Sequence, residues 1–171
     1  MSAARQERKS DRAKAVAAAI VAAVLILVGL ALAPAPIRAA TTERVVTNRH
    51  TGLAIDGFDP VAYFVDGTPL LGRAGLEHRF AGVGWRFRNE GNRAAFAADP
   101  EVYMPRFGGH DPMAVGRGAG APGHPSLWVI VDNRLYLFYS AQARAAFVAN
   151  PEQALELAQR GWSKVLLTLA P

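Results

Sequence analysis

Apolar and polar positions change their period along the chain, and each change marks an element. In Leu76-Glu77-His78-Arg79-Phe80 the apolar residues recur at every second position, with His78 on their face. Trp85-Arg86-Phe87 alternates in the same way. The intervening Ala81-Gly82-Val83-Gly84 supplies a glycine turn, so residues 76–87 are predicted to form a hairpin. A second hairpin is predicted where residues 127–131 and 135–138 flank Asp132-Asn133, a pair that tolerates positive φ. A helix is expected after each hairpin, over 90–98 and 141–149. Asn89 and Ser140 are the N-caps, and Pro100 and Pro151 are placed to open a new turn.

The two halves repeat. Residues 93–101 and 144–152 share seven identities in nine columns at an offset of 51, which also lays Trp85-Arg86-Phe87 on Tyr136-Leu137-Phe138. The expected fold is α+β: two β-hairpin–helix units, about 74–107 and 126–162, related by a pseudo-repeat. Between them, residues 107–125 are so rich in glycine and proline that they read as a loop with little regular structure.

Upstream, residues 15–37 form a run of 23 without a charge, preceded by Arg5, Arg8, Lys9, Arg12 and Lys14. At about 1.5 Å per residue such a run spans the hydrocarbon layer, and the basic flank holds the N-terminus in the cytoplasm. Residues 1–38 are therefore expected to be a transmembrane anchor or a signal helix. Both readings place a tether over 39–51 and a domain over 52–164 on the outer, periplasmic side of the cytoplasmic membrane. Charge follows the same division. The first forty residues carry six basic and two acidic groups, the remainder thirteen and twelve, so the domain is nearly neutral and nucleic acid is not an expected partner. The chain has no cysteine, which excludes disulfides, zinc ribbons, iron–sulfur clusters and thiol nucleophiles.

Several stretches resemble the YHS domain, a short metal-associated module related to the TRASH-type treble clef. Asp59-Pro60-Val61-Ala62 is similar to that family's opening Asp-Pro-Val-Cys, and residues 85–103 to its Tyr-x-Phe-Cys-Ser stretch with the Phe and Pro that follow. Residues 54–64, Phe107-Gly108-Gly109 and residues 128–137 resemble a longer exported subgroup. The resemblance implies a metal site built on thiolates, yet the matching positions here are Ala62, Arg88 and Asn92, then Tyr139 and Ala143 in the second unit, and Asp111. A guanidinium cannot replace a thiolate as a ligand for copper or zinc.

His110, Asp111 and His124 are the remaining candidate metal ligands, with Met113 as a soft donor to copper. Asp111 before Pro112 also fits a turn, and His78 a core or half-buried strand position. Catalysis has little support. Ser140 reads as a cap, no Gly-x-Ser-x-Gly elbow exists, and Asp56, Asp59 and Asp66 look like turn residues. The expectation is a non-catalytic YHS-like accessory module, not an enzyme and without a cofactor, whose partners are the membrane and a protein. The alternative is a copper- or zinc-binding protein using His110, Asp111 and His124.

Overall fold

The computed structural model describes residues 43–169. The predicted membrane or signal segment over 1–38 and the start of the tether lie outside the described residues. Among the described residues no helix is long and apolar enough to cross a membrane.

Among the described residues the architecture is α+β, with two antiparallel hairpins and six α-helices. β1 (Glu77–Phe80) pairs with β2 (Val83–Arg86) through a two-residue turn, Ala81 and Gly82, both at positive φ. β3 (His124–Val131) pairs with β4 (Arg134–Phe138) through Asp132 and Asn133, at φ 50° and 55°. Two consecutive left-handed residues match the twist of the flanking strands, which is why these short turns close. α1 (Ala62–Val65) precedes the first hairpin. α2 (Glu90–Ala98) and α3 (Pro100–Tyr103) follow it. α4 (Pro112–Val115), α5 (Ala141–Ala149) and α6 (Pro151–Leu166) bear the same relation to the second. The Asn89 side chain accepts from Asn92 N–H and the Ser140 hydroxyl from Ala143 N–H, each capping the helix the sequence assigned to it. Pro100 and Pro151 open α3 and α6, where a missing N–H costs nothing.

Two cores lie on opposite faces of the β3–β4 hairpin. Leu135 and Leu137 are buried with Trp85, Phe87, Phe96 and Tyr63 in the first core; Tyr136 and Phe138 are buried with Phe107, Phe147, Val115 and Ala158 in the second. The period-2 geometry of β4 makes this division, sending successive side chains to opposite sides. Each core centres on three rings. Phe96 lies 5.1 Å from Trp85 and 5.2 Å from Phe87, while Phe147 lies 5.3 Å from Tyr136 and 5.1 Å from Phe138.

Two expectations are corrected. The segment 43–51 is not a free tether. Val45 and Val46 are buried, Val46 N–H donates to the Gly108 carbonyl, and Ile55 N–H donates back to the Val46 carbonyl. The apolar Val45-Val46 pair removes this strap from water, despite its polar neighbours. Nor is 107–125 without structure. It contains a 3₁₀ turn (Arg106–Gly109) and α4, and buries Phe107, His110, Asp111 and Val115. Its glycines allow close approach. A Cβ on Gly108 would stand 1.9 Å from the Arg44 carbonyl oxygen, and one on Gly123 2.8 Å from the Gly109 oxygen.

Candidate functional site

Each half contains an Asp-Pro corner, entered by three residues in a row at positive φ. Ile55, Asp56 and Gly57 (44°, 56°, 78°) precede Asp59-Pro60; Phe107, Gly108 and Gly109 (54°, 62°, 86°) precede Asp111-Pro112. Left-handed backbone at Ile55 and Phe107 is strained, and it holds only because the surrounding packing fixes it. Both corners continue into a short helix and face the end of a hairpin. Asp59 Oδ1 accepts from Val61 N–H at 2.9 Å, and Oδ2 from Arg88 N–H at 2.8 Å and the Asn92 side-chain amide at 2.7 Å. Asp111 Oδ1 accepts from Met113 N–H at 2.7 Å and Oδ2 from Tyr139 N–H at 3.0 Å. Both carboxylates are buried. A buried carboxylate without donors would be costly, and here the backbone N–H groups supply them.

These bonds decide what the candidate metal ligands can do. Both oxygens of Asp111 are engaged with backbone. His110 is fully buried, and its Nε2 lies 2.8 Å from the Glu43 carbonyl oxygen. A carbonyl only accepts, so Nε2 bears the hydrogen and Nδ1 keeps its lone pair. That Nδ1 is the buried side-chain polar atom without a hydrogen-bond partner among the described residues. Burial pushes the His110 pKa below its ordinary value, against the opposing pull of the Glu43 and Ala121 carbonyls and the Glu43 charge. His124 is exposed at the start of β3, where its Nδ1 accepts from Ser126 N–H at 3.2 Å. Met113 packs against the second core. The structure does not bring His110, Asp111 and His124 into one coordination sphere: among the described residues no group of three or more His, Asp or Glu side chains is placed to hold a metal ion.

The positions at which the sequence resemblance expects thiolates do not fit a metal either. Ala62 is buried and apolar, Asn92 turns an amide N–H toward Asp59, and Arg88 contributes its backbone N–H to the same carboxylate. Asp59 gathers donors where the resemblance expects ligands. His78 is half-buried, its ring 6.1 Å from that of Phe96, and His50 is exposed.

A different feature escapes sequence reasoning. A cleft of about 240 Å³ opens between the strap and α6. Arg44 and Val45 form one wall, Glu101, Met104 and Arg106 another, and Phe107 and Trp162 the aromatic lining, their centroids 5.6 Å apart and edge to face. Trp162 is half-buried on α6; Arg44 falls in the expected tether. No pattern joins residues this far apart in the chain.

Compared with protein-family models, curated proteins and solved structures, the chain finds no match in any of the three.

Proposed function

We propose that this domain is a YHS-like scaffold, one unit used twice, acting as a non-catalytic interaction module on the outer side of the cytoplasmic membrane, to which the N-terminal segment anchors or delivers it. The observation that carries this reading is the use of both Asp-Pro carboxylates as backbone clasps. The buried acids among the described residues hold a helix start to a hairpin end, and each of their carboxylate oxygens accepts at least one N–H.

Further support for a duplicated unit comes from matching details. Asp59 N–H donates to Leu70 and Gly72 N–H to Gly57; Asp111 N–H donates to Ala121 and Gly123 N–H to Gly109. These pairs, the two left-handed turns and the two ring triads share one layout at offsets of 51 and 52 residues. A scaffold whose thiolate positions hold alanine, arginine and asparagine offers shape to a protein partner rather than ligands to a metal.

Titration of the full chain, purified in mild detergent and stripped with chelator, tests this with Cu(II) and Zn(II) followed by calorimetry. No saturable one-to-one binding is expected. Stoichiometric binding that disappears in His124→Ala, an exposed site whose loss leaves the cores intact, would establish the alternative through His110, Asp111 and His124. The bare Nδ1 of His110 is the observation that favours that alternative. Protease added to spheroplasts should digest the domain; protection would place it in the cytoplasm instead.

A further inference from the structure

The cleft sets two exposed cations beside the edge of the second core, where Phe107 and the half-buried Trp162 line it. Arg44 and Arg106 are both exposed, and among the described residues neither has an acidic partner within 4 Å; the ion pairs there are Arg86–Glu77, Arg93–Glu90 and Arg160–Glu156. Glu101 on the same rim is paired with neither arginine. With one acid beside two fixed cations, the site suits a single anionic group better than a polyanion.

The site is built in advance. Phe107 is held in left-handed backbone at φ 54°, and Gly108 packs directly under the Arg44 carbonyl. The bond from Val46 N–H to the Gly108 carbonyl, 2.8 Å, fixes the strap to the floor, so Arg44 is carried on a wall that does not depend on a ligand. Phe107 and Trp162 present apolar ring surface beside the guanidinium groups. Aromatic rings next to cations are the pairing found where a protein meets lipid headgroups.

Chain length supplies the occupant. The uncharged run ends at Ile37, and Arg44 is the seventh residue after it. Fully extended, those residues reach at most about 25 Å. We propose that the cleft seats the phosphodiester of an anionic phospholipid from the membrane that the N-terminal segment enters, with Arg44 and Arg106 on the phosphate and Phe107 and Trp162 against the glycerol end. This inference rests on the anchored reading of residues 1–38.

Bromine quenching of Trp162 tests it in the full chain, incorporated into nanodiscs whose lipids carry bromine high on the acyl chain. One set of discs is phosphatidylcholine alone, the other roughly one-third phosphatidylglycerol, where each arginine near the surface is worth about fivefold in affinity. The Trp162-specific signal is the difference between the native chain and Trp162→Phe. It should be quenched at least about twofold more in the anionic discs, and Arg44→Gln with Arg106→Gln should return it to the phosphatidylcholine level. Equal quenching in both discs, or indifference to the arginines, overturns the proposal while leaving the anchor in place. Failure of the chain to enter discs at all removes the anchor and the proposal with it. A Trp162 response to inorganic phosphate in phosphatidylcholine discs, equal to that given by phosphatidylglycerol, would assign the cleft to a free anion. A response to an acidic peptide, with none to phosphatidylglycerol, would assign it to a protein.

Discussion

His110 sits where the strap, the glycine-rich segment and α6 meet, with one ring nitrogen bonded to the Glu43 carbonyl and the other bare. A proton on Nδ1 would place a charge in this enclosed site, and that desolvation outweighs the pull of the Glu43 and Ala121 carbonyls, so burial holds the folded pKa below the ordinary 6.5. In the unfolded chain the same imidazole titrates normally. As pH falls below 6.5 the unfolded state therefore takes up the proton first, and stability drops; above 6.5 neither state binds it and this contribution is level. Urea unfolding of the full chain between pH 5 and 7.5 should show stability falling on the acid side by up to about 1.4 kcal/mol per pH unit, one proton's worth. In His110→Asn, which keeps an amide donor and has no proton to take up, that slope should disappear even though the variant is less stable at neutral pH. An unchanged slope would mean another group controls it. At this scale the sequence revealed type but not partnership. Asp59 and Asp111 before proline were legible as turn and cap residues, because an Asx side chain bonds backbone two positions on. Their second bonds, to Arg88 and Tyr139, join residues 29 and 28 positions apart, and no local pattern encodes them.

Elements were legible where their signals are local. Cap, apolar spacing and following proline together specify α2 and α5 residue for residue. The strap and the 107–125 segment were not, because their burial depends on contacts with distant backbone. Gly161, in the interior of α6, shows how such contact reverses an ordinary rule. An alanine in a helix interior is normally better than glycine by about 1 kcal/mol. Here a Cβ would stand 2.0 Å from the Val115 carbonyl oxygen at the end of α4, so the two helices approach through a position that accepts only hydrogen. Gly161→Ala should therefore destabilise, by about 1–3 kcal/mol after α6 shifts to relieve the overlap. Chemical denaturation measures the sign directly, and a gain in stability would mean that α4 and α6 are not in this contact in solution.

For the molecule as a whole, the two hairpins do not contribute equally. The first hairpin alternates exposed and half-buried residues along β1, so it closes one core, whereas β4 is buried from Leu135 to Phe138 and serves both. A strand of this kind, apolar on both faces, reads as a continuous hydrophobic run, and Leu135-Tyr136-Leu137-Phe138 is one. Because the cores share this strand, neither can lose its packing without exposing the other. The domain should then unfold as a single cooperative unit despite its two-part sequence. Leu137→Ala empties space in the first core and Phe138→Ala in the second, each at a cost of about 3 kcal/mol. Hydrogen exchange of the full chain distinguishes the cases. If β4 couples the halves, either substitution should lower protection of the most slowly exchanging amides in α2 and α6 alike, by the same free energy. If the halves were independent, Leu137→Ala would loosen α2 alone and Phe138→Ala would loosen α6 alone.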